Sequence, residues 1–239
     1  MNKIIKYLFI FTLLAWPFGL LLSYQTNYLP FPIYLLDIFV ILLSILSFRA
    51  STRNPEGTSI LFFYSVVLIS LLFNYTRITL ISLAYTIRLF AYPSIYFLTL
   101  RYKNLVKKYL PLSLGIFVFL GLAQYLLFPD MRYLKLLGFD DHYFRLIGTF
   151  YDPNFSGAIL SAITLYFFIQ SKYLPGTISL VALALTFSRA SYISFIIGLV
   201  FYIFKSHKYR LLGIMATLAL VIFLLPKPFG EGVNLLRTF

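Results

Sequence analysis

Residues 174–204, from Leu174 to Phe204, read LPGTISLVALALTFSRASYISFIIGLVFYIF. Lys172 and Lys205 flank the stretch, and only Ser188-Arg189 interrupts its apolar character. About 20 apolar residues suffice to cross a bilayer once, so these 31 residues are too long for one span. A hairpin of two short helices with its tip at Ser188-Arg189 is expected. Each arm then has about 15 residues and rises about 22 Å, against a hydrocarbon core of about 30 Å. The tip falls short of the far surface. Arg189 then sits either at the floor of an outward-facing cavity or under a locally thinned bilayer to which it snorkels. An irregular turn at that depth is tolerated only inside protein or beside water.

The rest of the chain has the same character. Of 239 residues, 61% are hydrophobic, 20% aromatic and 11% charged, and the mean hydropathy is +0.89. This composition indicates a polytopic membrane protein. The fold class expected is all-α, a transmembrane helix bundle of about nine spans forming a single transmembrane domain over residues 1–239. Further spans are read at 4–23, at Pro30 and Pro32 through Phe48, and at 58–73, 78–100, 109–128, 153–170 and 211–225. Lys3 and Lys6 precede the first span like a signal-peptide n-region. The apolar run is too long and lacks a small-x-small cleavage site, so a retained helix is expected. Residues 129–151 form an extracytoplasmic segment, and 226–239 start an extracytoplasmic loop.

Charge sets the orientation. Arg49, Arg53, Arg101, Lys103, Lys107, Lys108, Lys172, Lys205, Lys208 and Arg210 fall on the same side as the N-terminus, with Glu56 the one acid there. Lys and Arg in short loops mark the cytoplasm, so the N-terminus is expected inside and the C-terminal tail outside. The net charge of +13 is thereby explained without nucleic acid. Cysteine is absent, which excludes disulfides, thiolate nucleophiles and Cys-based metal sites. No Walker, zinc, dinucleotide or Ser/His/Asp pattern is present, and neither a cofactor nor a metal is expected.

The remaining polar residues supply the candidates. Asp152-Pro153-Asn154 is a helix start, with Asp as N-cap and Pro at the first helical position. A helix N-terminus also favours anions. Arg145 lies just before it, and Gly148 allows close backbone approach. Arg88 is in mid-span and Asp37 lies at similar depth, so an Arg88–Asp37 pair is plausible, either as structural glue or as a functional site. Asp140-Asp141-His142 reads as a solvated loop, the alternatives being a divalent cation site or a base.

The pattern Arg145-x-x-Gly148-Thr149-Phe150-x-Asp152-Pro153-Asn154, followed by Thr186-Phe187-Ser188-Arg189-Ala190, resembles the O-antigen ligase and O-antigen polymerase family of bacterial membrane proteins. The family pattern is an Arg, a Gly and (Asn/Asp)-Pro-Asn opening a helix, then Ser-Arg-(Gly/Ala). The resemblance covers about 45 residues in two motifs. It implies a glycosyltransferase of the bacterial cytoplasmic membrane. Such an enzyme passes a glycan from an undecaprenyl-pyrophosphate-linked donor to a glycan or lipid acceptor, among membrane lipids. It implies that Arg145 and Arg189 clamp the pyrophosphate, that Asp152 and Asn154 shape the site, and that Arg237 opens a further arginine-bearing segment. Arg88 joins them as a substrate-binding candidate.

The family's proposed general-base His has no counterpart here, so no catalytic residue is assigned. The chain reads as the N-terminal part of a longer protein, incomplete and inactive alone. A shortened relative is the other reading. Two further functions stay open: a transporter or flippase of anionic lipid-linked glycans, and a non-catalytic membrane partner.

Overall fold

The computed structural model describes residues 2–24, 32–51, 57–73 and 79–207, with Tyr209, Gly213 and Ile214. The expected ninth span apart from Gly213 and Ile214, the tail 226–239 with Arg237, the loop with Arg53, and Pro30 lie outside the described residues. The chain divides into two compact units, residues 1–113 and 114–239.

In the first unit, α1 (Asn2–Ala15) passes into a 3₁₀ helix, Trp16–Leu22. Pro17 and Gly19, the latter at φ 48°, set the kink there. A two-residue antiparallel ribbon follows, β1 (Ser23–Tyr24) on β2 (Ile33–Tyr34). Then come α2 (Leu35–Ser51), α3 (Gly57–Phe73), α4 (Leu80–Ala91) and α5 (Pro93–Arg101). The span expected at 78–100 is thus two helices with a join at Tyr92. Pro93 has no N–H to donate, which breaks the ladder. Tyr92 keeps helical angles (φ −62°, ψ −36°), so the chain direction is not reversed. The core joins Ile5, Phe9 and Leu13 of α1 to Leu43 of α2 and Leu98 of α5.

Helix α6 (Lys103–Leu127) contains the boundary between the units. It begins six residues before the span expected at 109. The densest basic stretch, expected as a loop, is therefore helical apart from Tyr102, in keeping with the helix propensity of lysine.

The second unit continues with α7 (Pro153–Ile169), α8 (Tyr173–Ala184) and α9 (Arg189–Ser206). Both α8 and α9 pack chiefly on α7 and little on each other. Leu160, Ile163, Phe167 and Phe168 of α7 are buried, as are Leu180 and Leu183 of α8 and Phe195 and Leu199 of α9. The close approach of α7 to α9 depends on Gly157, where an added Cβ would lie 2.5 Å from Ser191 Oγ.

The hairpin is present with its turn at 185–188, but its arms are unequal. Helix α8 has 12 residues and α9 has 18, which at 1.5 Å per residue is about 18 and about 27 Å. The equal-arm expectation fails because α8 stops at Ala184. There its last carbonyls take partners from outside the helix.

Among the described residues, four helical stretches are long and apolar enough to cross a membrane: Lys3–Leu22, Leu80–Arg101, Lys103–Leu127 and Arg189–Ser206. Leu35–Leu46, Pro153–Ile169 and Tyr173–Ala184 are apolar but shorter. The all-α expectation holds apart from the ribbon. By length and composition, four crossings stand among the described residues, into which eight of the nine expected spans fall in whole or in large part.

Candidate functional site

Three helix ends meet in the second unit. They are the N-terminus of α7, the C-terminus of α8 and the N-terminus of α9. Each end leaves backbone groups without intrahelical partners, and side chains and one backbone amide of the same unit supply them.

Asp152 caps α7. Its Oδ1 accepts from Asn154 N at 2.7 Å and Phe155 N at 3.2 Å. Pro153 takes the first helical position, where no donor is needed. The segment before it is fixed by Gln124 of α6, whose Oε1 accepts from Ile147 N (3.0 Å) and Gly148 N (3.2 Å). Gly148 sits at φ +62°, and a Cβ there would lie 2.9 Å from Ser156 Oγ. Both the left-handed conformation and the space require glycine.

The C-terminus of α8 is satisfied carbonyl by carbonyl. Ala184 O accepts from Tyr192 OH at 2.5 Å and Leu185 O from Leu146 N at 2.9 Å. Thr186 O accepts from Arg145 Nε at 3.1 Å and Phe187 O from Arg145 Nη2 at 3.3 Å. Arg145 thus places its positive charge at the negative end of α8. Phe187 is held at φ +50°, an unusual conformation for a bulky residue. The guanidinium bond to its carbonyl is part of what holds the turn in that form.

Ser188 caps α9, with its hydroxyl accepting from Ser191 N at 3.4 Å. The same hydroxyl donates to Asn154 Oδ1 at 2.9 Å. Ser191 Oγ lies 2.8 Å from Ser188 Oγ and 3.3 Å from Asn154 O. Thr186, Ser188 and Ser191 are all buried. The two ends of the 145–191 stretch are therefore one hydrogen-bonded structure. Arg189 follows as the first residue of α9, with its side chain exposed.

Arg145, Asp152, Asn154 and Arg189 thus share one junction. Arg88 belongs to the first unit, where Nε donates to Asp37 Oδ2 at 2.8 Å and Nη2 lies 2.5 Å from the same oxygen. Tyr92 OH donates to Asp37 Oδ1 at 2.9 Å. The guanidinium lies 4.7 Å from the Tyr34 ring centroid and 5.3 Å from that of Tyr85. The Arg88–Asp37 pair foreseen from depth is present, in an aromatic cage the sequence did not disclose.

The solvated-loop reading of Asp140-Asp141-His142 holds for the two aspartates and fails for His142. Both aspartates are exposed, but His142 is buried, and its carbonyl accepts from Met131 N at 2.9 Å. An isolated bridge pairs Asp130 with Tyr143, so the segment is folded back on itself. Among the described residues no three His, Asp or Glu side chains group to hold a metal. Asp130 accepts from Arg132 Nη2 at 2.6 Å and Nε at 2.9 Å, and these bonds hold its carboxyl below the usual carboxylate range.

Gln124 and Tyr192 belong to no motif that marks them in the sequence. A lone glutamine near the end of an apolar span was the one available signal. No protein-family model matches the chain, and no curated protein or solved structure does.

Proposed function

We propose that this chain binds the donor in a membrane glycosyltransferase reaction. Its substrate would be a glycan carried on undecaprenyl pyrophosphate, handled as in O-antigen ligases and polymerases. The observation that carries the reading is the union of the Arg145–Asn154 segment with the Thr186–Ser191 turn. Two motifs separated in sequence converge at the starts of α7 and α9.

The arrangement suits a pyrophosphate leaving group. Two helix N-termini contribute partial positive charge. Asp152 already occupies the first amides of α7 with a carboxylate, whereas α9 has the neutral cap Ser188. The uncompensated positive end is therefore that of α9, where Arg189 stands exposed. Charge growing on phosphate oxygens as the glycan departs would be stabilised there by the Arg189 guanidinium together with the helix end. Arg145 is largely occupied at the end of α8 and is assigned to positioning the turn, in addition to any contact with phosphate. Asn154 orients Ser188.

The nine-span arrangement with the N-terminus inside the bacterial cytoplasmic membrane belongs to this same proposal. It would put the junction at the outer leaflet. The transferring step would deliver the glycan to an acceptor hydroxyl, with the general base supplied from outside the residues named here.

The test is Arg189→Ala in the cell that makes the protein, followed by analysis of surface polysaccharide and of lipid-linked glycan. The expected result is shortened or unattached polymer with the carrier-linked donor accumulating. Unchanged polymer length and attachment would sink the proposal. Loss of donor at the outer leaflet, without loss of transfer activity in extracts, would favour the flippase.

A further inference from the structure

We infer that residues 131–139 form a lipid-contacting foot that inserts Leu136 and Leu137 into the headgroup boundary of the membrane. The segment leaves α6 at Leu127, and α6 is one of the helices long and apolar enough to cross. The last turn of α6 is already exposed and apolar at Leu126 and Leu127, and so is Phe128 just beyond it. A span ends where water begins, so a segment starting a few residues later lies at that boundary. The chain returns at Pro153 to start α7, so both ends of the connection are tethered.

The segment has two faces. A 3₁₀ helix covers Arg132–Leu137. On its inner side Met131 and Leu134 are buried against Ile147 and Tyr151. Phe139 closes the end with an edge contact to the Tyr151 ring, 5.4 Å between centroids. Gly138, at φ +81°, makes the reversal, and Phe139 N donates to Leu134 O at 3.1 Å. The turn is therefore fixed, and what it shows outward is not incidental. Outward it shows Leu136 at 89% exposure, Leu137 at 64% and Tyr133 at 52%.

The choice of lipid over a protein partner follows from position and residue type. The exposed leucines continue the apolar end of α6. Tyr133 is suited to the headgroup belt, and the Lys135 side chain is long enough to lie along an apolar surface while its ammonium stays wet. Charge is not the attraction. Asp130, Asp140 and Asp141 outnumber Arg132 and Lys135 over residues 129–144, so insertion should depend on apolar contact and hardly on anionic lipid.

The absence of cysteine makes the test direct. Leu136→Cys and, separately, Asp141→Cys are labelled with a polarity-sensitive fluorophore on the full chain. The labelled protein is reconstituted in vesicles of phosphatidylcholine, with and without one quarter phosphatidylglycerol. The label at position 136 should be quenched several-fold more by lipids carrying a nitroxide near the headgroup than the label at 141. It should be several-fold less quenched by aqueous iodide, in both lipid mixtures. Equal iodide quenching at the two positions overturns the inference. Shielding from iodide without quenching by nitroxide lipid overturns it as well, since a protein surface would then be the cover. Insertion confined to the anionic vesicles also overturns it.

Discussion

Asn154 and Ser188 stand 34 residues apart and share a hydrogen bond of 2.9 Å, and each also serves a helix start. Asn154 donates its backbone N–H to the cap of α7, and Ser188 is the cap of α9. The bond therefore couples the two N-termini directly. Ser188→Ala removes both a cap and the partner of a polar atom. The loss should be about 1–2 kcal/mol, read as a lower thermal midpoint in detergent. A cycle with Asn154→Ala should give a coupling of about 1 kcal/mol. Additive losses would show that the bond does not join the two ends.

The two arginines of the junction should separate by their effect on stability. Arg145 donates to Thr186 O and Phe187 O, so Arg145→Ala leaves two carbonyls at the end of α8 short of a donor. A loss of about 3 kcal/mol is expected. Arg145→Lys should recover little of it, because a lysine lacks the planar fork. Arg189 is exposed, and Arg189→Ala should leave the unfolding midpoint within the range of ordinary surface substitutions, about 0.5 kcal/mol. On the proposed function, glycan transfer from the lipid-pyrophosphate donor should fall in both variants. If Arg189→Ala unfolds the protein as readily as Arg145→Ala, the division of roles is wrong.

Gly157 sets the distance between α7 and α9. A Cβ there would meet Ser191 Oγ at 2.5 Å and Ser191 Cβ at 2.9 Å. The second contact is not with the far end of a flexible side chain, so the helices themselves must part. Gly157→Ala should lower stability by about 1–3 kcal/mol and should disturb the Ser188–Asn154 bond. Adding Ser191→Gly relieves the clash, and partial recovery of the thermal midpoint in the double variant is the check.

Much of this junction was legible in the sequence, and the reasons are physical. A Pro after an Asp marks a helix start whatever surrounds it, and the Ser188-Arg189 break in 31 apolar residues can only be a turn. The unequal arms were not legible. Helix α8 ends at Ala184 because Tyr192, Leu146 and Arg145 provide partners for four successive carbonyls, and no local pattern announces donors from that far along the chain. Gln124 was invisible for a related reason, being one polar residue with no spacing to interpret. The exposed leucines at 136 and 137 were likewise hidden, since a sequence shows that a residue is apolar but not which way a 3₁₀ turn presents it.

The Asp130–Arg132 pair gives the segment 129–144 a pH dependence. Hydrogen bonds from Arg132 depress the folded carboxyl, so the pair's contribution is present above the ordinary carboxylate range and is lost as pH falls through the folded value. The pair is exposed and the effect is local. Amide exchange at Arg132, whose N–H donates to Asp130 Oδ1 at 3.2 Å, should lose protection in strong acid. In Asp130→Asn that acid-dependent change should be absent. An identical acid response in wild type and variant would assign the change to another group.

The Arg88–Asp37 pair gives the sharpest test of the first unit. Asp37 is 6% exposed, and Pro32 O, 3.3 Å from Arg88 Nη2, is a second hydrogen-bond acceptor for the cation. Removing Asp37 leaves the partly buried Arg88 cation without its carboxylate, with Pro32 O and the Tyr34 and Tyr85 rings left around it, a loss of up to about 3 kcal/mol. Replacing both with neutral groups of similar shape removes the charges together. Asp37→Ala should therefore be more damaging than Asp37→Asn combined with Arg88→Gln, although the double variant alters more residues. Reversing the pair as Asp37→Arg with Arg88→Asp should not restore stability, because Tyr34 and Tyr85 surround the present guanidinium position and Tyr92 donates to the present carboxylate. The comparison is made by thermal unfolding of all three variants in one detergent. A rescue by the reversed pair would mean that charge pairing alone, without the aromatic cage, stabilises the site.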